Sequence, residues 1–383
     1  MLVPMRAAFR ASRRAASAAA CVVVASLAPV GQARAAAAPP AESAPVNWEL
    51  FRSLWLKDVP RATPDEPMLG AYNGQKAAAY LDDVAVEWAR QNQCGTCHTT
   101  VAYLMAQPAL QGLADHGAYQ EVRAAAAAFA ADEAAKKTGI STIIVAATVA
   151  AFTVGDPAAG QGLPADTRAL FDYLWATQER NGSWVVRADG LLPFLERDPR
   201  YLTLLVALAL GYSPDRYLEE PAARAGLTRL EAYLRAHPPL NMHEKAVLLW
   251  ASVRTPGLLD SARQADYSRA LLQLQKSDGG WALPSLGQWP RHDGAPNDAA
   301  GPSDGYATAL AALVLCESGA RGSAPVRRAT GWLREHQRLS GRWYTRSLFS
   351  DGFQNYLSNM GTAYAAMALH SCDAAAGSGA NDR

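Results

Sequence analysis

Cysteine is scarce in this chain: five residues in 383, too few for a fold built on disulfides. An excess of either charge is also missing. Thirty-six basic side chains face 35 acidic ones, a formal net charge of +1, which excludes a strongly basic nucleic-acid binder, since phosphate binding draws on clustered Lys and Arg. Gly (29) and Pro (23) stand at ordinary levels, so collagen-like and linker-like classes drop out. Alternating Val/Ile/Thr runs bounded by turn residues are scarce. There is no P-loop, no Rossmann glycine fingerprint, no H-E-x-x-H and no G-x-S-x-G. Beyond residue 35 no segment is long and apolar enough to span a bilayer. What remains plentiful is apolar material, 50% of the chain, together with ten tryptophans, enough for a large core.

Residues 1–35 read as an export signal. Arg6, Arg10, Arg13 and Arg14 give a basic start, Ala15 to Val30 is an apolar run short of a typical spanning helix, and Ala33-Arg34-Ala35 offers a cleavage site. Cys21 falls inside this segment and leaves with it. Loss of residues 1–35 leaves 31 basic against 35 acidic side chains, a net charge of −4. Residues 36–72 form a tether and lead-in, with a Pro/Ala-rich stretch from Ala36 to Val46. The expectation is a soluble protein in an oxidising compartment, periplasmic or secreted, with residues 373–383 as a disordered tail.

The body of the chain reads as all-α. Ala/Leu-rich amphipathic periodicity predicts helices over 73–91, 98–105, 118–136, 140–154, 166–178, 200–210, 227–235, 243–253, 265–275, 303–316, 324–337 and 360–371. A repeat runs through them. Gln178-Glu-Arg-Asn-Gly182-Ser-Trp184 matches Gln275-Lys-Ser-Asp-Gly279-Gly-Trp281, and both match Gln337-Arg-Leu-Ser-Gly341-Arg-Trp343. The rule is Gln, Gly four later, Trp six later. The Gly fits a left-handed helix C-cap, the Trp can fold back over the turn, and the Gln can bond to the neighbouring repeat. The helices after these turns also align, Gly305 with Gly361 and Cys316 with Cys372, and they are apolar nearly all round, the mark of a buried helix. The preceding helices, such as Val326–His336, carry charge and belong outside. An inner ring within an outer one is an α6/α6 toroid, over residues 73–372.

The Gln-x3-Gly-x-Trp copies resemble the QW repeats of squalene–hopene cyclases and related terpenoid cyclases. The resemblance implies that the repeats staple outer helices together, that Trp184, Trp281 and Trp343 are structural, and that the inner helices enclose an apolar cavity for an isoprenoid. The family's Asp-x-Asp-Asp acid, needed because an alkene is a poor base, is absent. Asp82-Asp83 lacks the leading Asp, and Asp304 stands alone at the start of an inner helix, where an N-cap is the ordinary role. Ordinary cyclase activity is therefore not expected.

The chemistry is carried elsewhere. Cys94-Gly-Thr-Cys97-His98 is C-x-x-C-H, the c-type haem attachment string: two thiols form thioethers to the haem vinyls and the histidine supplies an axial nitrogen. A disulfide or dithiol at Cys94–Cys97, or zinc, are the competing readings. Gln91, Gly95 and Cys97 also obey the repeat rule, so the string is written into a turn between an outer and an inner helix, with His98 starting the inner one. A second axial ligand is expected from the same end: Met360 first, with Met242, His243 and His292 as further candidates. Cys316 and Cys372 occupy equivalent places in successive inner helices, which invites a bridge, but helix axes 8–10 Å apart favour buried free thiols. The loop with Asp293, Asn297 and Asp298 lacks EF-hand spacing for calcium.

The expectation is an exported haem c redox protein with haem at the cavity mouth. It passes electrons to a partner protein or oxidises an apolar, isoprenoid-like ligand. The alternative is a haem-free module: a cyclase-like isomerase using Asp304, or a binder of a lipid or partner.

Overall fold

The computed structural model describes residues 59–92, 98–138, 141–156, 162–184, 199–291, 293–348 and 355–374. Among them are twelve helices of eight or more residues, with shorter turns at Gln107–Leu110, Asp215–Glu219 and Leu283–Leu286. They are α1 (Gly74–Asn92), α2 (His98–Met105), α3 (His116–Lys136), α4 (Ser141–Val154), α5 (Ala165–Thr177) and α6 (Pro199–Tyr212). Then follow α7 (Pro221–Ala236), α8 (Met242–Ser252), α9 (Ser261–Gln273), α10 (Gly305–Leu315), α11 (Ala324–Glu335) and α12 (Tyr356–Asp373). The chain is all-α as expected, and each sequence-read helix is present. Starts moved where capping chemistry decides them. Pro221 takes the first position of α7, where its missing N–H costs nothing, and the Asp260 carboxylate accepts from Arg263 N to begin α9.

Burial separates the helices into two sets. All eleven residues of α10 are buried, and thirteen of the fourteen in α4. By contrast only Leu271 of α9 is buried, and α1 exposes Lys76, Asp83 and Arg90. The even-numbered helices pack in series, α2 on α4, α4 on α6, α6 on α8, α8 on α10 and α10 on α12, and α12 returns to pack on α2. The odd-numbered helices lie against them, with α1 on both α2 and α12, α9 on α8 and α11 on α10 and α12.

The three Gln/Gly/Trp turns behave alike. Gln178 Nε2 donates to Gly182 O (3.1 Å) and to Gly226 O of α7 (3.0 Å). Gln275 Nε2 donates to Gly279 O (2.9 Å) and Pro325 O of α11 (2.8 Å), and Gln337 Nε2 to Gly341 O and Asn73 O, both 2.9 Å. Trp184, Trp281 and Trp343 each donate Nε1 to a carbonyl ten residues earlier, at 2.8 Å, and are wholly buried. Each copy thus ties one outer helix to the next, and the third joins α11 to the start of α1. The glycines are not helix C-caps, a correction. The helices end at Thr177, Gln273 and Glu335, and Gly182, Gly279 and Gly341 close separate tight turns at φ +94°, +93° and +97°. A Cβ on Gly341 would lie 2.1 Å from Lys76 O. Gly341→Ala is therefore expected to lower unfolding free energy by about 2–4 kcal/mol, from positive-φ strain plus a backbone clash, checked by urea denaturation.

The lead-in does not end as a free tether. The Arg342 guanidinium, 2% exposed, donates to Pro60 O, Arg61 O and Glu66 Oε2 at 2.6–2.7 Å. Leu69 N donates to Gln337 O, Leu339 N to Pro67 O, and Met68 bridges Arg338. Residues 60–69 therefore strap the junction of α11 and α1. At the other end of the inner helices, Cys316 and Cys372 form a disulfide with Cα atoms 5.3 Å apart, correcting the expectation of free thiols. At their starts the two helices are also close: a Cβ on Gly361 would meet Tyr306 N at 2.9 Å, so α12 approaches α10 there more closely than a larger side chain allows.

No described helix is long and apolar enough to cross a membrane. Asp373 belongs to α12 and pairs with Arg334 at 2.7 Å rather than to a tail. Residues 1–58 and 375–383, where the export signal, most of the tether and the rest of the tail are expected, lie outside the described residues.

Candidate functional site

The first turns of five inner helices meet. Tyr201 of α6 lies 5.6 Å, centroid to centroid, from His243 of α8, and His243 lies 5.9 Å from Tyr306 of α10. The backbone of Tyr306 abuts Gly361 of α12. Asn359 of α12 donates Nδ2 to Thr99 Oγ1 of α2 (2.8 Å) and accepts from the Tyr80 hydroxyl of α1 (2.6 Å). Burial pushes the Tyr80 phenol up to about 12. Nothing in the sequence marked Asn359, Thr99 and Tyr80 as partners, because 260 or more residues separate Asn359 from each.

The C-x-x-C-H string stands at this end. α1 finishes at Asn92 and α2 begins at His98, so the string joins an outer helix to an inner one. Residues 93–97, with Cys94 and Cys97, and the His98 side chain lie outside the described residues. Met360 follows Asn359 directly. Met360, Tyr364 and Met367 form one stripe of α12 and retain 6–8% exposure, whereas Ala363 and Ala365 between them are sealed at 0% and Ala366 keeps 4%. A thioether with residual access is what a second axial ligand requires.

One orphaned donor stands beside the string. Trp88 Nε1 is buried and has no hydrogen-bond partner among the described residues, a state that costs about 1–3 kcal/mol. Trp88 is three residues before Gln91, the place Trp175 holds before Gln178. Trp175 packs against Trp184, centroids 6.2 Å apart, and donates to the Tyr217 hydroxyl at 2.6 Å. In the cysteine copy the Trp184 position is Cys97. In sequence a thiol thus takes the place of an indole, and Trp88 Nε1, six residues before Cys94, has no partner among the described residues, which suits a group that brings a hydrogen-bond acceptor such as a carboxylate.

The other candidates have settled partners. Asp304 caps α10, accepting from Ala307 N (3.0 Å), Leu283 N (2.5 Å) and Thr345 Oγ1 (3.1 Å). Burial outweighs these donors and raises its carboxyl to about 6. Asp82 accepts from the Tyr103 hydroxyl (2.7 Å) and Asp115 N (2.8 Å), tying α1 to α2 and to the start of α3. His243 Nε2 lies 2.7 Å from the Tyr306 hydroxyl, which takes that nitrogen out of the ligand set. Met242 begins α8, and His292 lies outside the described residues. Asp293 is held by Arg291, and no group of three or more metal-ligating side chains occurs among the described residues.

Burial keeps His243 neutral, its pKa lowered from 6.5 to about 3. As pH falls below 6.5 the unfolded chain takes a proton the folded one refuses, so stability falls with pH. Asp304 acts oppositely: between 3.8 and about 6 only the folded chain holds its proton, so stability falls as pH rises. The two slopes cancel between about pH 4 and 6. His243→Gln removes one of them. Its unfolding free energy relative to wild type is expected to rise by about 1.4 kcal/mol per pH unit below 6.5, read from urea denaturation across pH.

No family model matches this chain, and no curated protein matches it in sequence.

Proposed function

We propose that the closed series of inner helices and the outer helices around it form an α6/α6 toroid of the terpenoid-cyclase type, and that the chain is an exported c-type haem redox protein. Cys94 and Cys97 would hold the haem through thioethers, His98 would supply a nitrogen ligand to its iron, and Met360 is the candidate for a second ligand. Trp88 offers a buried N–H to a haem carboxylate. The observation that carries this reading is the Thr99–Asn359 hydrogen bond. It puts the first turn of the helix begun by His98 against the first turn that bears Met360.

The bound group would supply one-electron chemistry, and methionine ligation favours electron transfer over oxygen or peroxide activation. The chain's own residues hold the site in place. Asn359 fixes the start of α2, Tyr80 fixes Asn359, and Asp82 anchors the side of α2 through Tyr103. The apolar inner faces of α4, α6 and α12 exclude water from that end and suit an apolar ligand, so oxidation of such a ligand stands beside electron transfer to a partner protein. The Cys316–Cys372 bridge supports an oxidising compartment, periplasmic or secreted, as does the basic and apolar character of residues 1–35.

The test is export of the full chain from a host with c-type cytochrome maturation. Haem that stays with the polypeptide through denaturing electrophoresis is the expected result. A chain that emerges colourless, with a control cytochrome matured alongside, overturns the reading and favours a haem-free binder or isomerase. In the haem-bearing protein, Met360→Ala is expected to remove the methionine–iron charge-transfer band while leaving the covalent haem.

A further inference from the structure

The aromatic residues of the inner helices form a connected series independent of the haem string. His243, Tyr306, Tyr364, Trp250 and Tyr212 follow one another with ring centroids 5.9, 5.5, 6.2 and 6.3 Å apart. The series starts at the first turns of α8 and α10, crosses mid-α12, and ends at the last turns of α8 and α6. Tyr306, Trp250 and His243 are 1% exposed and Tyr364 is 6%. These separations are ordinary for packed aromatic rings, and four of the five side chains, three tyrosines and a tryptophan, are of the types that lose electrons readily.

What distinguishes one member is a proton acceptor. A phenol oxidised by one electron becomes a very strong acid, so its oxidation is feasible in a dry interior only if a neutral base already touches the hydroxyl. Tyr306 has one: His243 Nε2 at 2.7 Å. At the far end, Tyr212 carries the Arg254 guanidinium 3.9 Å above its ring, a cation that opposes positive charge there. The series is therefore biased toward Tyr306.

We propose that Tyr306 and His243 are a redox-active pair. Tyr306 gives one electron to a high-potential one-electron oxidant, of the class a peroxide-activated haem or a trivalent metal complex supplies, while its hydroxyl proton passes to His243 Nε2. The products are a neutral tyrosyl radical, an imidazolium and the oxidant reduced by one electron, and the return transfer restores the pair. Trp250, an indole that can give up an electron without giving up its proton, relays the electron vacancy, and the Tyr364 ring packs between it and Tyr306. Burial makes the imidazolium costly, which keeps it short-lived and favours return of the proton to Tyr306 when the electron comes back.

The test needs no haem, so it stands or falls apart from the function proposed above. The full chain is oxidised by flash-quench with a ruthenium polypyridyl complex and persulfate, frozen, and read by high-field electron paramagnetic resonance. A tyrosyl signal is expected whose largest g value is lowered by a hydrogen bond from an imidazolium. Tyr306→Phe should lose that component, leaving only signals from exposed tyrosines. His243→Gln, which keeps an acceptor near the hydroxyl but cannot carry the proton, should lose it as well, with near-ultraviolet circular dichroism confirming the core. A component that survives in either folded variant overturns the proposal. If Tyr306→Phe does not fold, the His243→Gln result decides.

Discussion

Arg342→Leu is expected to lower unfolding free energy by about 3–5 kcal/mol, the range for breaking a buried ion pair from one side. The guanidinium uses its fork fully, on Glu66 Oε2 and on the carbonyls of Pro60 and Arg61, and lies over the Tyr80 ring at 5.5 Å. Leucine leaves the Glu66 carboxylate, 13% exposed, without its cation and accepting from Ser340 N at 3.0 Å. It also takes the guanidinium from the Arg61 carbonyl and from the Pro60 carbonyl, which keeps Asn355 Nδ2 at 2.9 Å. The loss is larger than for a surface pair because the strap closes the junction of α11 with α1, where Gln337 and Gly341 meet Asn73 and Lys76. Adding Glu66→Gln should recover part of the loss, since the stranded charge goes while the carbonyls' lost guanidinium is not replaced. Arg342→Lys should fall between, keeping charge but not the fork. Equilibrium urea denaturation of the four proteins checks this, and a loss under about 1 kcal/mol for Arg342→Leu would mean that the strap is not part of the cooperative fold.

The second large effect concerns attachment. Cys94→Ser/Cys97→Ser is expected to abolish covalent haem, because neither serine hydroxyl adds to a vinyl group as a thiol does under maturation. Cys97→Ser alone leaves Cys94 to form a single thioether, with a lower yield of matured protein and a red-shifted haemochrome. The fold should persist in both variants. α1 and α2 remain joined by Asp82 and Tyr103, and α2 to α12 by Thr99 and Asn359, none of which involves a thiol. Far-ultraviolet circular dichroism beside haem staining separates the two outcomes. Loss of helix together with haem would mean that the turn, and not the cofactor, is what the cysteines serve.

Much of the helical framework was legible because each helix carries its own local signals. Asp260, Asn241 and Asp304 stand at helix starts with side chains accepting from the first turn. The Gln/Gly/Trp repeat is local too, and its long-range bonds follow from a rule visible within seven residues. A left-handed glycine after a helix reads the same in sequence whether it caps the helix or closes a separate turn, here five or six residues past the helix end. Helix-axis spacing is an average, which is why it points to free thiols at Cys316 and Cys372; α10 and α12 run closer than that average, with the bridged Cα atoms 5.3 Å apart. Arg342 occupies an unconstrained position of the repeat, so the sequence gives no hint that it holds Pro60 and Glu66 from more than 270 residues away. His243 and Tyr306 look like ordinary helix-start residues until folding brings them together across 63 positions.

The measurement that bears most directly on the central claim is the intact mass of the exported chain, taken with its pyridine haemochrome spectrum. The account predicts a chain cleaved near Ala35 that carries the mass of one haem, with the haemochrome band of a haem bound through two thioethers. A cleaved chain at the mass of the bare polypeptide, with Cys94 and Cys97 as thiols or a disulfide, would contradict it.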